Sequence, residues 1–445
     1  MWTVAQLAAD LAAGRTTSRQ LTEQALARIA DPAGEGSRAF MKVYAESALA
    51  DADTADRLRK SGVRRSPVDG LPVSLKDLFD VAGDVTRAGS KILTAKAEQD
   101  APAVARLRAA GAVLIGRTTM VEFAFGGVGL NPHYGTPKNP HDRKTGRIPG
   151  GSSSGAAVAQ ADGMCVMALG SDTRGSVRGP SALCGVVGFK PTQRRVSRDG
   201  AFPLSYTLDS VGPLANSVAC CAAYDEVLSG ESAAPLAQMP VKGLRLMLPR
   251  SGALRDLDAE VEQAFSAALE KLAKGGAAVT EVAVPAFDRQ AEYFKSGGYA
   301  GAESYYIHRP FLNRIGEYDP RVSKRVLLGK DFLAADYVAL GHLRDAYVRE
   351  VEALCAPFDA IVMPTVPCIA PSIADAGASD DAYFRWNDRI NRNSGLVNFL
   401  DGCGVTVPCH QPGAAPVGFL VFGPAMSDRR VLAVAAAVER ALARD

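Results

Sequence analysis

The chain has 445 residues, of which 47% are hydrophobic and 22% are charged, a composition typical of a globular protein with one large domain or a few smaller ones. Its formal net charge of +2 at pH 7 argues against direct binding to nucleic acid or to a membrane surface by bulk electrostatics. No run of about 18 apolar residues occurs, so we expect no membrane span, and the N-terminal residues lack the basic-then-apolar pattern of a secretory signal.

The eight cysteines form no CxxC pair and have no histidine at zinc-binding spacing. We therefore expect reduced thiols in a cytoplasmic protein, with neither a metal site nor a cofactor. The cysteines are Cys165, Cys184, Cys220, Cys221, Cys355, Cys368, Cys403 and Cys409.

The first 60 residues predict helices. Val4, Leu7 and Leu11 share one helical face, and Thr17 provides an N-cap for the next helix. Residues 72–75 then predict a buried strand that ends at Lys76. A helix over residues 103–110 and a strand over 112–116 form a helix-to-strand unit of an α/β protein.

The rest of the chain continues this alternation. Residues 208–213 suggest a buried loop, residues 288–355 a helical region that caps a cleft, and residues 373–383 an acidic loop. We expect a single large α/β domain, because no linker or internal repeat separates the segments. Further strands are predicted over 184–192, where a turn closes the strand, and over 244–248, 278–282, 360–365, 405–408 and 417–421, and further helices over 261–272 and 431–442.

Two Gly/Ser-rich turns stand out, residues 149–155 (PGGSSSG) and residues 172–178 (DTRGSVR). Turns of this kind let backbone N–H groups converge on an anion or a developing oxyanion, and their hydroxyls are candidate nucleophiles. Ordinary loops around a buried segment are the alternative interpretation.

Lys76 is the candidate base. It follows Leu75, and the apolar pair Leu78-Phe79 comes two residues later. A lysine in such surroundings loses hydration, which lowers its pKa and favours the neutral amine. Taken alone, a lysine in such a position more often extends to solvent than acts as a base.

Three enzyme templates were compared with these residues. Residues 151–155 match the GxSxG elbow formally, but Pro149 and basic residues precede them where that template needs a strand. Residues 144–146 supply KTG, but no lysine has a serine three residues before it, so the β-lactamase set is incomplete. A serine hydrolase whose base is a lysine fits the residues without histidine or metal.

The ordered set of motifs resembles the amidase signature family. The resemblance is carried by residues 70–77 (GLPVSLKD), 150–153 (GGSS), 172–180 (DTRGSVRGP) and 184–192 (CGVVGFKPT). It is dense over about residues 68–215 and thinner toward the C-terminus. It implies one amidase domain over residues 1–445, with a mixed twisted β-sheet covered by helices on both faces and a substrate-variable helical cap over about residues 288–400.

The resemblance also implies the catalytic roles. The nucleophile falls on Ser176, the bridging serine with a cis peptide bond on Ser152, and the lysine base on Lys76. The oxyanion hole falls on the backbone N–H groups of Thr173, Arg174, Gly175 and Ser176.

Position 174 departs from the family, which usually has Gly-Gly before the nucleophile. Arg174 either points into a salt bridge away from the site or places its guanidinium near the cleft, where it would favour a substrate with a carboxylate. We expect Arg178 to be structural and paired with Asp172.

Substrate contacts are predicted at Gly126, Gly127 and Val128, where family members line the acyl pocket. Three candidates on the cap and a late loop are Tyr299, Tyr305 and Met363. Core packing is the alternative for the aromatic side chains.

The resemblance predicts an amidohydrolase that cleaves the C–N bond of a small organic amide through an acyl-Ser176 intermediate. The alternative is the glutaminase component of a tRNA-dependent amidotransferase complex, although the chain is somewhat short for it. A non-enzymatic scaffold is a third hypothesis, which the intact lysine and two serines disfavour. Family members commonly form homodimers.

Overall fold

The computed structural model of the protein describes residues 2–231 and 234–443. The strands are β1 (Phe40–Val43), β2 (Pro72–Lys76), β3 (Val113–Thr118), β4 (Met167–Asp172), β5 (Val187–Lys190), β6 (Ser210–Ala215), β7 (Arg245–Arg250), β8 (Ala278–Ala283), β9 (Ala360–Pro364), β10 (Cys403–Pro408) and β11 (Gly418–Gly423).

The α-helices alternate with these strands along most of the chain. They are α1 (Val4–Ala12), α2 (Ser18–Ala30), α3 (Gly36–Ala39), α4 (Ala45–Lys60), α5 (Pro102–Ala109), α6 (Ser154–Ala161), α7 (Arg178–Cys184), α8 (Val218–Ser229), α9 (Ala259–Lys274), α10 (Gln290–Tyr293), α11 (Gly298–His308), α12 (Pro320–Leu327), α13 (Ala334–Cys355), α14 (Ile373–Gly377), α15 (Asp380–Asn391), α16 (Ser394–Phe399) and α17 (Asp428–Leu442).

All the strands belong to one eleven-stranded sheet in the order β1-β3-β2-β4-β6-β5-β10-β11-β9-β7-β8. The sheet is mixed: β2 runs parallel to both β3 and β4, whereas β6 runs antiparallel to β4 and β5. This confirms the α/β class and the mixed sheet.

Helices cover both faces of the sheet. Successive residues of a strand point to opposite faces, so neighbouring residues pack against different helices. On β3, Val113 and Ile115 pack in a cluster with residues of α4 and α6, whereas Leu114 belongs to a cluster with residues of α1, α5 and α8. Both faces are therefore buried, as the near-continuous apolar runs of the central strands predict.

The sheet brings the two Gly/Ser-rich segments toward the lysine. β2 and β4 are parallel neighbours, with Val73 opposite Met167 and Leu75 opposite Leu169. Their carboxyl ends therefore lie at the same edge, which places Lys76 beside the end of β4 and the turn that follows it.

Three predictions of local structure were wrong. The first 60 residues contain a strand, β1, as well as helices. The expected buried loop at residues 208–213 is largely strand β6. The expected acidic loop at residues 373–383 forms α14 and the beginning of α15.

All eight cysteines are unpaired, as expected from their spacing. Within the described residues, no helix is long and apolar enough to cross a membrane. The same residues contain no group of histidine, cysteine and carboxylate side chains arranged to hold a metal ion.

Candidate active site

Lys76 lies at the end of β2 with its side chain fully buried. Its Nζ is 2.7 Å from Ser152 Oγ and 2.8 Å from Ser171 Oγ. Burial lowers the pKa of Lys76 to about 7, although the charges of Asp209 and Asp172 act in the opposite direction. A substantial fraction of this amine is therefore neutral near pH 7 and able to accept a proton.

Ser152 is held by its backbone. The Gly151–Ser152 peptide bond is cis, and the Ser152 carbonyl accepts a hydrogen bond from the N–H of Val121 at 3.1 Å. The Gly151 N–H donates to the Gly127 carbonyl at 2.7 Å, and a Cβ at position 151 would lie 2.8 Å from the Gly126 carbonyl oxygen. Glycine at 151 thus allows the close backbone approach that positions the Ser152 hydroxyl beside Lys76.

The loop that carries Ser176 folds around the carboxylate of Asp172. This carboxylate accepts hydrogen bonds from the backbone N–H groups of Gly175 at 2.8 Å, Val177 at 3.1 Å and Arg178 at 3.3 Å. Gly175 has φ of +123°, a conformation that favours glycine. The Asp172 carboxylate therefore shapes the turn that carries Ser176.

The predicted Asp172–Arg178 pair is confirmed. Arg178 donates to the carboxylate through Nε at 3.0 Å and Nη2 at 2.9 Å, and both side chains are fully buried. Asn398 Nδ2 donates to the same carboxylate at 2.9 Å. Burial alone would raise the pKa of Asp172, but the charge and hydrogen bonds of Arg178 outweigh it and hold that pKa well below its usual range.

One predicted oxyanion donor is engaged elsewhere. The Gly175 N–H is directed to Asp172, so it does not face the cavity as expected. The backbone N–H groups of Thr173, Arg174 and Ser176 have no acceptor among the residues that the structure describes. These three remain the candidates for binding an oxyanion.

A cavity of about 590 Å³ opens onto Ser176. It lies between the carboxyl edge of β4 and the helical region predicted to cap a cleft. Its lining comprises Ala124, Phe125, Gly126, Thr173, Arg174, Ser176, Leu204, Phe294, Ser296, Gly297, Ala300, Lys324, Arg325, Leu328, Phe384, Asn387, Asp388 and Asn391.

Only some predicted substrate contacts reach this cavity. Gly126 lines the cavity. Gly127 does not, and its N–H donates to Asn387 Oδ1 at 2.9 Å. Val128 and Met363 are fully buried in hydrophobic clusters away from the lining.

Tyr299 and Tyr305 also lie outside the lining. The Tyr299 ring packs edge-on against Tyr337, with 5.2 Å between ring centroids, and Tyr305 packs against the main hydrophobic cluster. The alternative of core packing holds for both aromatic side chains.

Arg174 does reach the cavity. It forms no ion pair with any described residue, so the interpretation of a salt bridge away from the site is wrong. Its guanidinium lies over the ring of Phe294, with Cζ 3.8 Å from the ring centroid. The Arg174 side chain therefore lines the same cavity as Ser176.

Sequence reasoning missed part of the cavity lining. Arg325 on α12, and Asn387, Asp388 and Asn391 on α15, line the cavity. The region over 373–383 was expected to be a loop, and no motif marks these side chains. The Ser-x-x-Asp pattern at residues 372–375 is an N-cap signal that could have revealed the first of the two helices.

The chain was compared with known proteins by sequence and by structure. Residues 20–432 match the profile of the Amidase family. The chain belongs to the amidase family. Such enzymes hydrolyse amide C–N bonds, and the protein is accordingly an amidohydrolase with the fold of that family.

The relatives of this amidase carry the names of different enzymes. A 2-amino-5-chloromuconic acid deaminase from Comamonas testosteroni is 34% identical, covering 96% of this chain and 94% of its own. A glutamyl-tRNA(Gln) amidotransferase subunit from Chromohalobacter salexigens is also 34% identical, covering 97% and 95%. The crystal structure of an amidase superposes with a TM-score of 0.89 at 33% identity, covering 99% of both chains.

Proposed function

We propose that Lys76, Ser152 and Ser176 are the catalytic residues of this amidohydrolase, with a small organic amide as substrate. The neutral Lys76 amine takes a proton from Ser152 as Ser152 takes one from Ser176. The Ser176 oxygen attacks the amide carbonyl carbon, and the charge that develops on the carbonyl oxygen is stabilised by backbone N–H groups of Thr173, Arg174 and Ser176.

The remaining steps use the same relay in reverse. The C–N bond breaks as the leaving nitrogen receives a proton through Ser152, which Lys76 reprotonates. The acyl group stays on Ser176 as an ester. Water then attacks this ester and gives up a proton to the relay. The ester bond breaks, the carboxylate product departs, and the Ser176 hydroxyl is restored.

The single observation that carries this proposal is the 2.7 Å separation between Lys76 Nζ and Ser152 Oγ at a fully buried site. The test is ammonia release from a panel of small amides. Wild-type enzyme should hydrolyse at least one amide class, and Ser176→Ala should lose roughly 10³-fold or more in kcat. Undiminished turnover by Ser176→Ala would refute the assignment.

A glutaminase remains the second candidate, on one specific observation. Asp388 lines the cavity together with Arg174 and Arg325, so an amino acid amide would meet a carboxylate for its ammonium group and guanidinium groups for its carboxylate. The similarity to glutamyl-tRNA(Gln) amidotransferase subunits agrees with it. Glutamine hydrolysis that needs added partner proteins and tRNA would support this candidate, whereas activity of the isolated chain on other amides would favour the first.

We further propose that the enzyme works in the cytoplasm as a homodimer. The eight unpaired cysteines support a reducing compartment, and the resemblance to the family supports the dimer. Light scattering coupled to size exclusion tests the assembly: a mass of about 93 kDa, twice the 46.7 kDa chain, is expected.

A further inference from the structure

The feature that distinguishes this cavity is an arginine where the family usually has glycine. Ser394 Oγ donates to the Arg174 carbonyl at 2.9 Å, which fixes the backbone from which the side chain departs. The side chain stacks on Phe294, and a Cβ at Gly395 would lie 3.4 Å from both Arg174 Nε and the Phe294 ring. Gly395 therefore lies directly beside the stack of Arg174 on Phe294 at the cavity wall.

The Arg174 guanidinium is not satisfied by the protein. Its Nε is buried and has no hydrogen-bond acceptor among the described residues. Burial lowers the pKa of Arg174 to about 10, and the Arg325 charge acts in the same direction while Asp388 opposes it. The group therefore remains charged at neutral pH without a protein counter-ion in contact.

A second arginine in the cavity lining also has no counter-ion in contact among the described residues. Arg325 is largely buried, and its Nη2 donates to the Tyr383 hydroxyl at 2.9 Å. Its Nε is buried without an acceptor, and the rings of Phe125 and Phe384 lie 5.1 and 5.4 Å from its Cζ. It forms no ion pair within the part of the chain that the structure describes.

The charge balance of the cavity is positive. Of the other charged lining residues, Lys324 is paired with Asp380, which leaves Asp388 as the acid opposed to two arginines. Asp388 itself accepts a hydrogen bond from Asn387 Nδ2 at 3.2 Å. Guanidinium groups that are buried without a counter-ion are costly, and a carboxylate from a ligand is the group that would offset this cost.

We propose that Arg174 and Arg325 bind a carboxylate of the substrate, so that the enzyme acts on amides that also carry an acid group, such as monoamides of dicarboxylic acids. This inference rests on the proposed function, since it takes Ser176 as the nucleophile in the same cavity. Arg174 and Arg325 act here as specificity determinants. The acid end of the substrate anchors at the two guanidinium groups while the amide end faces Ser176.

The test compares monoamides of C4 to C6 dicarboxylic acids with the uncharged diamides of the same acids. Wild-type enzyme should have a higher kcat/KM on the monoamide of at least one length. Arg174→Gln should lower kcat/KM on that monoamide by about 10- to 100-fold, mainly through KM, and this loss should be about tenfold or more larger than its loss on the diamide. Arg174→Lys should recover part of the loss, and Arg325→Met should resemble Arg174→Gln.

Lys295→Gln is the matched control. Lys295 follows Phe294, is exposed and does not line the cavity, so its removal takes away one positive charge nearby without touching the subsite. It should leave the preference for the monoamide unchanged. Equal losses on monoamide and diamide in Arg174→Gln, or the same change in Lys295→Gln, would overturn the inference.

A binding measurement keeps the inference falsifiable if turnover is slow. In a Ser176→Ala background, the dicarboxylate product should raise the melting temperature, and this rise should disappear when Arg174→Gln is added. No rise in the Ser176→Ala protein would contradict the subsite. An active wild-type enzyme that prefers neutral amides would overturn the subsite alone, whereas an enzyme unaffected by Ser176→Ala would overturn the proposed catalytic residues.

Discussion

At the scale of single residues, the account depends on the protonation state of one buried amine. Because burial lowers the pKa of Lys76 to about 7, the amine is protonated and unable to act as a base at lower pH. We expect kcat/KM to rise with pH through an apparent pKa near 7 and then to level off. Initial rates between pH 5 and 9 measure this, and a flat profile across that range would contradict it.

Ser152 and Ser171 offer a matched comparison at Lys76. Each hydroxyl lies within hydrogen-bond distance of Lys76 Nζ, at 2.7 and 2.8 Å, but only Ser152 is proposed to pass the proton. Ser152→Ala should lower kcat by roughly 10²- to 10⁴-fold, the range for a lost acid–base step, whereas Ser171→Ala should cost about tenfold or less. Equal losses in the two variants would mean that both serines merely hold the lysine.

Sequence and structure agree best on the placement of the proposed catalytic side chains. The resemblance predicted Lys76, Ser152 and Ser176, and the structure places Lys76 beside Ser152 and Ser176 on the cavity wall. The sequence could not predict that the Gly175 N–H donates to Asp172, because hydrogen bonds inside a turn depend on the backbone angles of that turn.

At the scale of elements, the segment from β4 to α7 is stabilised by one buried ion pair. Arg178→Met would leave the Asp172 carboxylate buried without its cation, so we expect it to lower the free energy of unfolding by about 3–5 kcal/mol. Urea unfolding followed by circular dichroism measures this value.

The double variant Asp172→Asn/Arg178→Met provides the control for that loss. The double variant removes both charges, so its free energy of unfolding should be higher than that of Arg178→Met alone. Its activity should not return, because the N–H groups of the Ser176 loop lose the carboxylate that organises them. A double variant less stable than the single one would contradict this explanation.

Local signals failed where tertiary contacts decide the conformation. Gly212 and Pro213 suggest a loop, yet they lie inside β6, where a Cβ at 212 would be 2.1 Å from the Phe189 carbonyl oxygen of the neighbouring strand. Glycine there permits close approach of β5, a reason that exists only once the strands are paired. In the acidic segment, Ser372 and Ser379 accept N–H hydrogen bonds and begin α14 and α15.

At the scale of the whole molecule, the eleven strands and the helical cap are expected to form one domain. We expect a single calorimetric unfolding transition whose van't Hoff and calorimetric enthalpies agree. The prediction would be wrong if two transitions separated, or if limited proteolysis released a stable fragment over residues 288–400.

The cavity also shows why a substrate could not be predicted from motifs. Arg174 lies within a motif, but Phe294, Arg325 and Asp388 come from distant segments that only the tertiary structure brings to the same cavity. Such residues share no fixed spacing with the nucleophile, so no pattern in the sequence marks them.

The most direct test of the central claim is labelling with a fluorophosphonate, which reacts with an activated serine. Mass spectrometry of the digested protein should locate the label on Ser176, and the labelling rate should rise with pH through about 7 and fall by orders of magnitude in Lys76→Met. A label on another serine, or a rate that Lys76→Met leaves undiminished, would contradict the account.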